Sequence, residues 1–156
     1  MGYNKRIMKG REPGLSQIDS KAVKIKLVTT IRHPDQETET FELWAEGSQV
    51  EKAGKTYLTY EEIQEHVTGN IKTTVKLGKD EALILRSGGL NMRLPFSLAG
   101  VQNGSFEGEF GTMLVTTTTH SIDHRDGRFE IEYGLSSGGS HVGDYKLEFT
   151  YTEGNS

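Results

Sequence analysis

Apolar and polar residues alternate with a period of two along most of this chain. Between residues 128 and 135 the sequence reads RFEIEYGL, in which every second side chain is apolar. Comparable alternation begins near residues 23, 41, 71, 90 and 145. A period of two places successive side chains on opposite faces of an extended strand. The pattern therefore predicts strands with one buried face and one solvated face, as in antiparallel sheets.

Short turn-forming motifs separate the alternating stretches. They are HPDQ (33–36), AGK (53–55), GKD (78–80), NG (103–104), RDG (125–127) and SSGGS (136–140). Asn-Gly and Asp-Gly are strong hairpin signals, because both central residues of a type I′ turn need a positive φ. About nine or ten short strands joined by tight turns leave little chain for the helices that connect parallel strands. We therefore expect an antiparallel meander.

The predicted fold class is all-β, namely an antiparallel up-and-down β-barrel, closed or nearly closed, of about 8–10 strands. Residues 21–153 would form this single barrel domain. Glycines within the alternating stretches, at Gly108, Gly134 and Gly143, suit the sharp bends of a closed barrel. A two-sheet sandwich is the alternative that the pattern leaves open.

Residues 59–67 (TYEEIQEHV) are the one helical candidate, because Thr59 precedes Glu62 by three residues, as in a capping box. However, Tyr57, Leu58 and Tyr60 are all residues that favour strands. We therefore predict that residues 57–62 form a strand and that only a short turn follows.

Composition narrows the class of protein. The chain has 156 residues and no cysteine, which excludes disulfides, thiolate metal sites and thiol catalysis and fits a reducing cytoplasm. No apolar run approaches the roughly 20 residues of a membrane-spanning helix, so no membrane partner is expected. We therefore expect a cytoplasmic protein.

Charge is distributed unevenly along the chain. Residues 1–20 hold four basic and two acidic side chains, whereas the whole chain has a net charge of −4. We interpret residues 1–20 as a flexible basic leader. The acidic remainder argues against nucleic acid as a partner, because binding to a duplex normally needs a basic surface on the folded domain.

Several segments resemble a known family. The segments YLTYEE (57–62), IKTTVKLGKDEALILRSGGLNMRLPF (71–96), FGTMLVTTTTHSID (110–123) and GRFEIEYGL (127–135) are similar to the YwiB-like family of small bacterial proteins of unknown function. The resemblance covers roughly residues 22–152. It implies a lipocalin-like (calycin-type) closed β-barrel in a cytoplasmic bacterial protein. It brings no activity and no catalytic residues.

The segment ILRSGGLNMRLPF (84–96) allows two interpretations. In one, Gly88 and Gly89 form the corner of a β-hairpin and Arg86 ends its strand at the barrel rim. In the other, the backbone N–H groups of the turn bind an anion beside Arg86. The segment matches no phosphate-loop spacing, so the hairpin corner is favoured.

Catalytic and metal-binding patterns are weak. His120 and His124 would lie about 13 Å apart on a strand, at ~3.3 Å per residue, so no metal site is predicted. Acidic residues such as Glu130 and Glu132 alternate toward solvent, and no nucleophile-elbow motif occurs. Two threonines of the run 116–119 would face the interior. The pattern gives no support for an enzyme or for a cofactor.

The sequence favours a barrel that binds a small, largely apolar molecule without catalysis. An eight-stranded barrel is just wide enough to hold one small ligand or to be filled by its own side chains. The expected interior residues are Leu90, Met92, Leu94, Phe96, Phe129, Ile131, Tyr133, Leu147 and Phe149. The candidate ligand-binding residues are Tyr60, Arg86, Arg93, Met92, Phe96 and Tyr133, with Tyr60 and the two arginines as polar anchors near the rim.

A protein-interaction module is the second hypothesis. In that case side chains would fill the barrel, and a partner would bind the outer face around Trp44 or a sheet edge. Trp44 alternates with Phe41, Leu43 and Ala45, so it should lie on the polar face. The sequence leaves open whether the chain forms a homodimer.

Overall fold

The computed structural model describes residues 20–62 and 69–154 of the chain. The ten strands are β1 (Ser20–Arg32), β2 (Glu39–Lys52), β3 (Lys55–Glu62), β4 (Ile71–Leu77), β5 (Glu81–Gly88), β6 (Asn91–Ser97), β7 (Gln102–Gly108), β8 (Gly111–Arg125), β9 (Arg128–Ser137) and β10 (Ser140–Glu153). No helix occurs within these described ranges. Residues 1–19 lie outside them, so the flexible leader over 1–20 stays a prediction.

Each strand pairs antiparallel with its neighbours in sequence, and β1 also pairs with β10. The sheet therefore closes, and the prediction of an up-and-down antiparallel barrel is confirmed. The closing ladder is long, running from Val23 opposite Glu153 to Arg32 opposite Asp144. Closure leaves no sheet edge along this seam, which removes the unpaired backbone groups of a terminal strand.

Two parts of the wall are less completely paired. The ladder between β2 and β3 begins only at Gly47, so residues 39–46 of β2 extend beyond the ladder with β3. The ladder between β6 and β7 has only three residue pairs, from Asn91 opposite Glu107 to Arg93 opposite Ser105. Pro95 follows in β6 and has no N–H to donate, which suits it to the end of a ladder.

The strand over residues 57–62 is confirmed as part of β3, whereas residues 63–67 of the helical candidate lie outside the described residues. The hairpin between β5 and β6 is also present, but its turn residues are Gly89 and Leu90. Leu90 was expected in the interior and instead lies in this turn, because β5 continues through Gly88. Gly88 has a φ of 121°, and an added Cβ there would contact the Asn70 carbonyl oxygen.

The inward faces of the strands form one apolar core, as the alternation predicted. Apart from Leu90 and Met92, all the expected interior residues are buried, and Met92 is half-buried against the core. The side chains that are most completely buried are Phe96, Phe129, Phe149, Ile25, Leu58, Ile71, Leu77, Ile131, Val23, Val75, Thr73 and Thr117. Many of them fill the end of the barrel that holds the start of β1 and the end of β10. The opposite end is less completely filled.

Candidate functional site

A cavity of about 500 Å³ occupies the less filled end of the barrel. Its apolar lining consists of Leu27, Phe41, Leu43, Ile84, Met92, Leu94, Phe106, Leu135, Leu147 and Phe149. Its polar and aromatic lining consists of Thr29, Tyr60, Glu62, Thr73, Arg86, Tyr133 and Tyr145. The cavity is therefore an apolar chamber in which a few polar groups converge, which is the usual composition of a small-molecule site.

An ion pair stands in the cavity wall. Arg86 Nη2 lies 2.9 Å from Glu62 Oε1, and the two side chains are only 21% and 12% exposed. Arg86 comes from β5 and Glu62 from β3, with β4 between them. Because Thr73 of β4 pairs with both Tyr60 and Arg86, these side chains share one inward face. Three neighbouring strands thus place one cation, one carboxylate and two hydroxyl groups together.

The phenol of Tyr60 belongs to this polar group. Burial raises the pKa of Tyr60 to about 12, the carboxylate of Glu62 raises it as well, and the cation of Arg86 opposes the shift. The nearby hydroxyl of Thr73 makes the smallest contribution to this pKa, which it lowers. Thr73 Oγ1 itself is buried, and no described residue lies at a distance and angle that would give it a hydrogen bond. Tyr60 is therefore a neutral hydrogen-bonding group at physiological pH.

The raised pKa of Tyr60 predicts a loss of stability at high pH. An unfolded chain releases the phenolic proton near pH 10, whereas the folded chain holds it to about pH 12. Between these values the unfolded state binds fewer protons, so the free energy of unfolding falls as pH rises. Tyr60→Phe should remove about 2 kcal/mol of this fall, at ~1.4 kcal/mol per pKa unit. Urea unfolding of both proteins at pH 9 and near pH 12 measures this fall in the free energy of unfolding. An equal fall in the two proteins would contradict a raised pKa of Tyr60.

Two further tyrosines form the opposite wall. The rings of Tyr133 and Tyr145 stack with centroids 5.2 Å apart and planes at 7°. Burial raises the pKa of both phenols above the ordinary value. Tyr133 also contacts Phe96, with ring centroids 4.6 Å apart. This aromatic wall gives a ligand a large, rigid apolar contact surface with hydroxyl groups attached.

The structure brings four of the six candidate residues together. Tyr60, Arg86, Met92 and Tyr133 line the cavity. Phe96 lies deeper, fully buried behind Tyr133, and is not part of the lining.

Arg93 lies outside the barrel. Its Nη1 donates a hydrogen bond of 3.4 Å to the exposed carbonyl of Asn103. The alternation of β6 accounts for this position, because Met92 faces inward and its neighbour must face outward. Arg93 is therefore not an anchor of the interior. Arg86 is inside as expected, but it lies two residues before the end of β5 rather than at the strand's last position.

Glu62 is the charged residue of the cavity lining that sequence reasoning missed. Most acidic residues on the strands alternate outward, and Glu61 does so, where it accepts a hydrogen bond from Asn70. Glu62, however, follows Tyr60 by two residues and therefore shares its inward face. Strand periodicity contained this signal. The pairing with Arg86, which is 24 residues away, depends on the register of three strands.

The position of Arg86 distinguishes the two interpretations of the segment 84–96, a hairpin corner and an anion-binding turn. Its charge is directed into the barrel toward Glu62, not toward the turn at Gly89. The hairpin corner is thus the structure of this segment.

His124 and Thr117 have structural contacts. His124 Nε2 lies 3.2 Å from the Tyr151 hydroxyl, and no group of metal-binding side chains occurs within residues 20–62 and 69–154. Thr117 and Thr119 are the inward members of the threonine run, and Thr117 donates a hydrogen bond of 2.6 Å to the Pro95 carbonyl. The described residues contain no helix with the length and apolar character that crossing a membrane requires.

The fold and the cavity define a small, closed, up-and-down β-barrel with a partly hollow interior. Comparison with known proteins assigns the family: residues 25–149 match the domain of unknown function DUF1934, and the chain belongs to this family. A relative from Bacillus subtilis (strain 168), the uncharacterized β-barrel protein YwiB, is 32% identical over 136 residues, which cover 81% of this chain and 91% of the relative.

A solved structure supports the fold independently. The crystal structure of the YwiB protein from Bacillus subtilis superimposes with a TM-score of 0.75 at 24% sequence identity. The match covers 92% of this chain and 100% of the other. The expected family and the closed antiparallel β-barrel are therefore confirmed, and the family carries no established activity to transfer.

Proposed function

We propose that this protein is a non-enzymatic binder of a small, largely apolar molecule, held in the hollow half of its barrel. The observation that supports this function is the cavity of about 500 Å³. Protein sites for small ligands commonly measure about 300–1,000 Å³. The lining is mostly aliphatic and aromatic, and burial of apolar ligand surface would supply most of the binding free energy.

The polar groups give the ligand an orientation. Arg86, Glu62 and Tyr60 lie on one wall, whereas the rest of the lining is largely apolar. An apolar body would fill the chamber, and one polar end would contact these three residues. A ligand without any polar end would exclude solvent from the chamber and offer the Arg86–Glu62 pair no hydrogen bond in return, which is costly. The proposed ligand is therefore mostly apolar with a single polar end.

The first test is whether the purified protein carries a ligand. Native mass spectrometry of freshly purified protein should reveal an additional mass that disappears on denaturation. The same spectrum would report a second subunit if the chain forms a homodimer.

Binding is best located with two tryptophan substitutions on adjacent residues of β2. Leu43 faces the cavity and Glu42 faces solvent, so Leu43→Trp projects an indole ring into the chamber whereas Glu42→Trp adds the same ring outside. With N-phenylnaphthylamine as a fluorescent apolar probe, Leu43→Trp should weaken binding about tenfold, or about 1.4 kcal/mol. Glu42→Trp should bind like the original protein. Equal affinity of the two variants would place the probe elsewhere and contradict the proposal.

Recognition of a protein partner is the second candidate function, and the exposure of Trp44 favours it. The Trp44 side chain is 67% exposed on the outer face of β2. Lys26 from β1 lies over its ring at 4.9 Å from the centroid. This cation–π contact joins β1 to β2, so the exposed indole also stabilises the barrel. Pull-downs that compare Trp44→Ala with the original chain test the alternative, and unchanged partner recovery would count against this surface.

We also propose a cytoplasmic location, which the absence of cysteine supports.

A further inference from the structure

The polar wall of the cavity has balanced charge. Arg86 and Glu62 form a direct ion pair, and Tyr60 and Thr73 beside them are neutral. The guanidinium of Arg86 donates a hydrogen bond from Nη2 to Glu62 Oε1. A guanidinium has five N–H donors, so Arg86 can donate to a ligand as well as to Glu62. A carboxylate can accept about four hydrogen bonds, so Glu62 can accept one from a ligand in addition to its contacts within the protein. The described residues of this wall thus offer a donor and an acceptor side by side, and their charges sum to zero.

A charged ligand end fits this wall poorly. Entry into the half-buried chamber would remove much of its hydration, which is expensive for an ion. A carboxylate drawn to Arg86 would lie next to Glu62, and an ammonium group drawn to Glu62 would lie next to Arg86. In either case attraction by one member of the pair is largely offset by repulsion from the other, because the two charges are only 2.9 Å apart.

An uncharged end with an acceptor and a donor on neighbouring atoms fits better. A primary or cyclic amide can accept a hydrogen bond from a guanidinium N–H through its carbonyl oxygen. It can donate its own N–H to the carboxylate. Both bonds involve a charged protein group, and such bonds are stronger than those between neutral groups. Its desolvation cost is that of a neutral amide, which is much smaller than that of an ion.

We infer that the ligand carries an uncharged amide-type end, which bridges Arg86 and Glu62. This inference rests on the proposed binding function and specifies the chemical class of the ligand. The carbonyl oxygen faces Arg86, the N–H faces Glu62, and the apolar remainder extends along the leucine-lined and aromatic parts of the chamber. The amide thereby satisfies the pair without breaking it.

The test uses four probes with the same eight-carbon chain and different ends: octanamide, octanol, octanoate and octylammonium. Isothermal titration calorimetry at neutral pH measures their affinities for the full chain. Octanamide should bind tightest, about tenfold more tightly than octanoate or octylammonium, since hydrogen bonds to charged groups have about this effect. Octanol offers one hydroxyl to both partners, so its affinity should lie between that of octanamide and those of the two charged probes.

Two variants should reverse this order in opposite directions. Glu62→Gln leaves the charge of Arg86 without its partner, so octanoate should gain about tenfold and become the preferred probe. Arg86→Met leaves Glu62 as the charged group, so octylammonium should gain instead. Asp123→Asn is the matched control, because it removes one carboxylate from an exposed ion pair on the barrel surface and should leave all four affinities unchanged. If Arg86→Met fails to fold, the wild-type order and Glu62→Gln still decide the question.

Each outcome has a distinct meaning. Any probe other than octanamide as the tightest for the original protein would overturn the amide assignment and leave the binding function intact. An unchanged probe order in Glu62→Gln would overturn it as well. Failure of all four probes to bind would instead overturn the proposed function.

Discussion

Phe129→Ala should lower the free energy of unfolding by about 4 kcal/mol, the middle of the range for a buried phenylalanine that is truncated to alanine. The Phe129 side chain is fully buried near the filled end of the barrel. Its ring packs edge-on against His124, with centroids 5.8 Å apart, and against Phe149 at 6.2 Å. Truncation would leave a void that these neighbours on β8 and β10 cannot close. Urea unfolding followed by circular dichroism measures the loss.

Phe110→Ala is the control for this prediction. Phe110 is 98% exposed in the turn between β7 and β8. Removing its ring should change stability by less than about 0.5 kcal/mol, as is usual for surface positions. Similar losses for the two variants would mean that Phe129 is not a core residue of a closed barrel.

Arg86→Met should cost about 2 kcal/mol of stability. Removal of one partner from a fully buried ion pair typically costs about 3–5 kcal/mol, because it leaves an uncompensated charge in the interior. Partial exposure of the Arg86–Glu62 pair reduces this penalty. The double variant Arg86→Met, Glu62→Met should recover most of the loss, because it removes both charges and leaves apolar side chains in an apolar chamber.

An exposed ion pair provides the comparison. Arg125 and Asp123 lie 2.9 Å apart on the surface, with side chains 71% and 46% exposed. Arg125→Met should have no measurable effect, because solvent screens such pairs. If Arg86→Met proves as stable as the original protein, the interior pair described here does not exist in solution.

Strand periodicity and the turn motifs predicted an antiparallel meander and favoured a barrel, but they left a two-sheet sandwich open. The inward position of Phe129 and the outward position of Trp44 both follow from alternation, and the turn motifs fixed the order of hairpins. The limits of a strand were harder to predict. Leu90 was assigned to β6, but β5 runs through Gly88 and leaves Leu90 in the turn, because the positive φ of Gly88 lets the strand end there.

The site was predictable only in part. Alternation correctly separates Met92 from Arg93, and the choice of Arg93 as an anchor ignored it. The ion pair required knowledge of which residues of β3, β4 and β5 stand side by side, and that register is a property of three strands together. The cavity volume could not be predicted at all. It depends on how far side chains from opposite walls reach across the interior, and sequence pattern does not encode that distance.

The central claim is that one end of the barrel is hollow and receives the apolar part of a ligand. Methyl-labelled NMR during titration with octanol tests it most directly, because the chain supplies its own controls. Leu27, Leu43 and Leu147 line the cavity, whereas Leu98 and Leu114 are exposed on the outer surface. We predict saturable shifts at the three inward leucines and none at the two outward ones. Shifts confined to the outward leucines, or none at any methyl group, would contradict it.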